Sequence, residues 1–307
     1  MVQCVEGVPC WADAMLPDVA AGRRFYGELF GWTFAEGGAG YRPYTWARLG
    51  GEDVAALVPK SDGRMPTVWN VYLATEDAAA ATARIREAGG RVIVAPRWID
   101  DLGVMATAAD PGGAVFGLWQ TGTHPGFARR GVPGSYGWTE VHTREPRVVD
   151  AFYRTVFGYE ARPVRGRAPA PDTGEEAGPA GPAESAEPGP KRPAGPAGPG
   201  PKRPADVLLW SPRGEPAGPG HAVAGRVVLG EPHPAELPAH FLTYFVVADC
   251  DHASRTAQRL GGRVLNEPED TPYGRFAVLA DNQGAHFAVI DTSQGTEGAR
   301  ENRAGRG

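Results

Sequence analysis

The chain writes one stretch twice. Trp11 to Trp32, WADAMLPDVAAGRRFYGELFGW, returns as Trp138 to Tyr159, WTEVHTREPRVVDAFYRTVFGY. Trp11 and Trp138, Phe25 and Phe152, Tyr26 and Tyr153, and Gly31 and Gly158 are each 127 residues apart. A repeat of this length constrains the fold more than any local pattern, because each copy must adopt the same supersecondary unit. The 307 residues have room for two ordinary domains, so a duplicated domain is expected.

Each copy reads as strand, helix and three strands. In the first, Pro9 to Leu16 is a strand, and Asp18 N-caps a helix whose Val19, Tyr26 and Phe30 share an apolar face. Gly31 ends that helix; strands follow from Trp32, around Tyr44 to Leu49 and at Val54 to Val58. The next segment repeats the order: a strand at Val68 to Thr75, a helix at Asp77 to Ala88 closed by Gly89-Gly90, and strands at Arg91 to Ala95, Gly103 to Ala108 and Ala114 to Gln120. The turn Asp110-Pro111-Gly112-Gly113 joins the last two.

The second half follows suit. Trp138 to His142 is a strand, Pro146 sits at the first position of a helix where its missing N–H costs nothing, and Phe157 to Val164 is the next strand. Val54 then matches Val223 at a spacing of 169 rather than 127, so about 42 residues have been inserted. The insertion, 166–205, is almost wholly Pro, Gly, Ala, Glu, Lys and Arg, and contains PGPKRPA twice. It cannot bury enough apolar surface to offset its ordering entropy and is expected to be disordered. The last module resumes with a strand at Phe241 to Val247, a helix at Asp249 to Leu260, and strands at Arg263 to Asn266, Gly274 to Leu279 and Ala285 to Ile290.

Composition excludes several classes. With 31 basic and 36 acidic residues the net charge is −5, and no basic block lies outside the insertion, which argues against nucleic acid as a partner. There is no leader-like start and no run of about 18 apolar residues, so no membrane span is expected. Cys4, Cys10 and Cys250 have no metal-type spacing and read as free thiols of a reducing cytoplasm.

Four βαβββ modules, with D-x(6)-FY-x(2)-LFG in the first and AGG or LGG followed by DPGGAVFGLW in the second, resemble the vicinal oxygen chelate superfamily, which includes glyoxalase I, bleomycin-resistance proteins and extradiol dioxygenases. The resemblance implies an α+β fold: four βαβββ modules paired into two tandem glyoxalase-like cups, residues 7–122 and 134–292, with a linker at 123–133 and a flexible tail at 293–307. It also implies a divalent metal held from the first and last strands of paired modules. Those first-strand positions carry Trp11, Asn70, Trp138 and Leu242; the last-strand positions carry Ala56, Gly117, Gly225 and Ala288. None is His or Glu, and a catalytic metal needs about three protein ligands. No cofactor is therefore expected, and a divalent metal only through a non-standard site.

Strand alternation selects the residues that share each cavity face. The first cup gathers Trp11, Asp13, Met15, Asn70, Tyr72 and Trp119, aromatic walls with a few polar groups that suit a flat, partly polar ligand. The second gathers Trp138, Glu140, His142, Tyr244, His221 and His286. If the protein is an enzyme, Glu140 or His142 would take a proton while Tyr244 polarises a carbonyl, with His286 beside them.

Two functions follow. By its resemblance to bleomycin-resistance-type members, the chain would bind an aromatic natural product such as an antibiotic or an anthracycline-like polyketide intermediate. Two-cup members of this kind look actinobacterial, and such a protein would assist a partner oxygenase. The alternative is a lyase, isomerase or oxygenase using the second cup. Four modules in one chain complete both cups, so a monomer is as admissible as a homodimer.

Overall fold

A computed structural model describes residues 5–37, 44–164, 207–216, 220–230 and 235–295. The insertion and most of the tail lie outside the described residues, as does Cys4.

The first half runs β1 (Pro9–Leu16), α1 (Val19–Phe30), β2 (Thr33–Glu36), β3 (Thr45–Leu49) and β4 (Glu52–Pro59). It continues through β5 (Val68–Ala74), α2 (Ala78–Glu87), β6 (Arg91–Ile99), β7 (Gly103–Ala109) and β8 (Val115–Thr121). The second half repeats this with β9 (Tyr136–Thr143), α3 (Pro146–Phe157), β10 (Glu160–Pro163), β11 (Val207–Ser211) and β12 (Ala224–Val228). Its last module is β13 (His240–Val246), α4 (Cys250–Arg259), β14 (Arg263–Thr271), β15 (Gly274–Ala280) and β16 (His286–Asp291). The strands form two eight-stranded sheets, ordered β2-β3-β4-β1-β5-β8-β7-β6 and β10-β11-β12-β9-β13-β16-β15-β14. No helix among the described residues is long and apolar enough to cross a membrane.

Local chemistry sets the helix ends. Asp18, Asp77 and Asp249 each accept backbone N–H groups at a helix start. Glu145 does not, and α3 begins on Pro146 instead. Gly31 and Gly158 end α1 and α3 at φ 73° and 71°, a left-handed conformation that costs glycine no steric strain.

Four strands differ from the sequence pattern: β10 begins at Glu160 rather than Phe157, because Phe157 closes α3 ahead of the Gly158 cap. β6 and β14 run on through Pro96 and Pro268, where the pattern ends. Both are edge strands whose register shifts around the proline, so the missing N–H removes no necessary ladder bond. β11, beyond the insertion, has no counterpart in the sequence pattern, because the proline-rich run hides the period before it.

The hydrophobic cores do not follow the division into halves. One buries Phe25, Tyr26, Phe30, Trp32 and Trp69 of the first half against Phe245, Leu279 and Phe287 of the second. The other buries Leu73, Ile85 and Phe116 against Phe152, Tyr153, Phe157 and Trp210. The helical side of each sheet thus faces the other half. The two inner faces, left free of helices, carry smaller clusters of their own around Trp11 and Trp138.

Candidate functional site

The same pair of residues stands at the centre of each inner face. On the first, Asp13 of β1 accepts the Tyr72 phenol of β5 at 2.9 Å. On the second, Glu140 of β9 accepts the Tyr244 phenol of β13 at 2.8 Å. The strand registers place these carboxylates opposite Asn70 and Leu242 respectively, and that substitution begins to separate the two cups.

The first inner face buries its carboxylate deeply. Asp13, 3% exposed, takes two further hydrogen bonds, from Asn70 Nδ2 at 2.8 Å and from the Tyr44 hydroxyl at 3.4 Å. Trp11 Nε1 donates to Tyr44 at 2.6 Å. Burial pushes the Asp13 carboxyl above its ordinary value despite the three donors, which act to lower it. The segment between the sheets packs onto this face. Phe127 N donates to Cys10 O at 2.8 Å, and its ring packs 5.5 Å from Trp11. His124 stands edge-on to Trp11, Trp46 and Trp119 at 4.5, 4.9 and 5.7 Å. Its Nε2 is buried without a hydrogen-bond partner, and burial brings the imidazole down to about 4.

On the second inner face the carboxylate and the neighbouring imidazole are less deeply buried, with the Glu140 and His142 side chains 15% and 12% exposed. Glu140 receives Tyr244 on Oε2 and Trp138 Nε1 on Oε1 at 3.2 Å. His142 Nε2 lies 3.5 Å from Glu140 Oε2, makes no hydrogen bond and is buried. The His142 ring stacks on His240 at 5.0 Å, and His240 Nδ1 lies 2.9 Å from Pro238 O, so it carries the proton there. Half-buried Trp138, Phe276, Val278 and Ile290 form an apolar wall around Leu242 and Tyr244. Burial raises the Tyr244 phenol, and the Glu140 charge raises it further. Tyr273, in the turn between β14 and β15, is also raised by burial, while Arg162 and Glu140 act on it in opposite directions.

The structure therefore brings Trp11, Asp13, Asn70, Tyr72 and Trp119 together on one face, and Trp138, Glu140, His142 and Tyr244 on the other. His221 is not brought in. It precedes β12, is exposed, and pairs with Glu215 at 2.8 Å, because the strand whose alternation would place it inward starts only at Ala224. His286 opens β16 on the Ala288 side, but the charges acting on it are those of Arg263 and Asp281, and burial lowers its pKa. Tyr44, Trp46, His124 and His240 are not among the residues that the sequence pattern selects. Alternation through β3 would have found the first two; His124 lies in a connecting segment with no period to read.

The donor set does not fit the divalent metal that the resemblance implies. At the implied positions Ala56 and Gly117 stand beside Asp13 and Tyr72, and Gly225 and Ala288 beside Glu140 and Tyr244. Gly117 is covered by the Tyr72 ring: a Cβ there would lie 2.1 Å from Tyr72 Cδ1. Among the described residues no three His, Cys, Asp or Glu side chains are arranged to hold a metal ion. Two surface grooves run along the seam of α2 and α3, one past Ala88, Arg147 and Phe152 and the other past Glu6, Arg84 and Arg154; neither touches an inner face.

Comparison with known proteins agrees with this architecture. A glyoxalase-like domain model matches residues 12–119 and again 138–290. The anthracycline biosynthesis protein DauV of Streptomyces sp. (strain C5) is 37% identical over 95% of both chains. DnrV of Streptomyces peucetius, also an anthracycline biosynthesis protein, is 36% identical over 96% of this chain and 97% of its own. The Mn(II)-bound glyoxalase from Novosphingobium aromaticivorans superposes with a TM-score of 0.56 at 13% identity, covering 95% of this chain and 87% of that one, a likeness of fold. With the family model matched twice along its length, the chain belongs to the glyoxalase-like domain family as a tandem member.

Proposed function

We propose that the protein binds a flat aromatic natural product in its second cup, as an accessory of an anthracycline-type biosynthetic or resistance pathway. One contrast carries this reading: the two cups share a carboxylate–tyrosine centre, yet among the described residues only the second sets a buried imidazole nitrogen without a hydrogen-bond partner beside that carboxylate. Ligand sites are mostly apolar with a few convergent polar groups, and Trp138, Phe276 and Val278 around Glu140, His142 and Tyr244 meet that description. The similarity to DauV and DnrV supports an aromatic polyketide as the occupant, held for a pathway enzyme such as an oxygenase. Titration with 1,4-dihydroxyanthraquinone tests it. Binding should weaken at least about tenfold in Trp138→Ala, which removes a stacking surface, and stay unchanged in the first-cup variant Tyr44→Phe. Loss through Tyr44→Phe alone, or no binding by the wild type, would reject it.

The Glu140–His142 pair at 3.5 Å favours a second reading, an enzyme in which one of the two takes a proton from the bound molecule. Recovering a candidate ligand chemically unchanged after prolonged incubation would count against turnover of that ligand.

A further inference from the structure

We propose that the second cup selects its ligand by a phenolic hydroxyl, which Glu140 and His142 grip together. This rests on the second cup being the binding site, and adds which functional group it reads.

Glu140 is held rigidly and is not saturated. Trp138 fixes Oε1 at 3.2 Å and Tyr244 fixes Oε2 at 2.8 Å. A carboxylate offers about four lone-pair sites, so two acceptor positions remain. His142 Nε2 lies 3.5 Å from Oε2 without hydrogen-bonding it, and is buried with no hydrogen-bond partner. A buried polar nitrogen left unpaired costs free energy, which a ligand can recover. One oxygen placed ~2.8 Å from both atoms satisfies both groups at once.

A hydroxyl meets the two demands. The carboxylate can only accept, so the ligand group must bring a proton. His142 in its Nε2–H tautomer donates to the same oxygen. A ketone or an ether offers Glu140 no proton and sets its lone pairs against the carboxylate. The surrounding wall of Trp138, Phe276, Val278 and Ile290 favours an aromatic ring as the carrier of that hydroxyl.

The first cup shows the same frame with this feature removed. Asp13 receives three donors where Glu140 receives two, and Met15 occupies the position of His142. The unpaired imidazole beside an unsaturated carboxylate is therefore particular to the second cup.

Calorimetric titration of the full chain with 1-naphthol and 1-methoxynaphthalene separates the possibilities. The wild type should prefer the naphthol about tenfold or more, the equivalent of one unpaired buried group. His142→Phe, which keeps the ring stacked on His240, and Glu140→Gln should each reduce that preference below about threefold, with melting curves confirming that both variants fold. Equal affinity of the wild type for the two compounds, with both lost in Trp138→Ala, overturns the hydroxyl reading while leaving the second cup as the binding site. A preference that survives both substitutions also overturns it. Binding of neither compound overturns the second-cup reading and this inference with it.

Discussion

Tyr26 donates its phenol proton to Asp281 Oδ2 at 2.9 Å across the seam between the halves, and Tyr153 repeats the contact with Asp110 at 3.2 Å. Each tyrosine belongs to the repeated Phe-Tyr pair of a helix, and each aspartate opens the last turn of a module in the opposite half. The aspartates also accept backbone N–H groups, from Ala285 and Ala114, so one residue shapes the turn and fastens the seam.

Tyr26→Phe is expected to destabilise the protein more than Tyr153→Phe. Tyr26 also accepts Trp69 Nε1 at 2.9 Å, so its removal strands a buried indole N–H as well as the bond to Asp281. Each buried group left unpaired costs ~1–3 kcal/mol. Urea denaturation of the two variants measures the difference; equal losses would refute it.

Because both cores draw on both halves, unfolding should be a single cooperative transition. Near-ultraviolet circular dichroism and tryptophan fluorescence should report the same urea midpoint. Two separated transitions would show that each half stands alone.

His124 makes stability fall on acidification. Its folded value, about 4, is depressed below the ordinary 6.5, so its contribution is complete above 6.5 and is lost as pH falls toward 4. At 1.36 kcal/mol per pKa unit, the wild type should lose about 3 kcal/mol relative to His124→Phe between those limits. Denaturation at several pH values checks this; parallel curves would contradict it.

Asp13 carries the opposite sign. Burial raises its folded value above 3.8, so its contribution is complete below that pH and is lost as pH rises through the folded value. The wild type should therefore gain stability relative to Asp13→Asn as the solution is acidified toward 3.8. Measuring the pair in a His124→Phe background isolates the effect from the imidazole.

Gly117→Ala should cost more than Gly225→Ala. The new methyl at 117 meets Tyr72 Cδ1 at 2.1 Å, and that ring is anchored on Asp13. At 225 the nearest atom is Glu140 Cγ at 3.2 Å, a side-chain atom that needs to give by only a few tenths of an ångström. Overpacking in a tight interior costs ~1–3 kcal/mol, and thermal melting should rank the two.

Much of the fold and of the candidate site is legible in the order of the amino acids. The spacing of 127 residues, the Asp caps and the alternation through Trp138, Glu140 and His142 specify the modules and both central carboxylates. His221 falls outside the cup because alternation does not hold beyond the start of its strand. The prolines of β6 and β14 hide strand residues because an edge position, which permits proline, is a property of the whole sheet.

The sequence by itself determined what depends on neighbours along the chain: helix ends, strand faces, the duplication and the lack of His or Glu at the implied metal positions. Tertiary structure alone decided which surfaces meet. It set Tyr26 against Asp281, 255 residues away, and sent His124 and Phe127 from a connecting segment into the first cup. It thereby packed a connecting segment onto one inner face. Those contacts rest on packing between distant segments, for which a local period carries no signal.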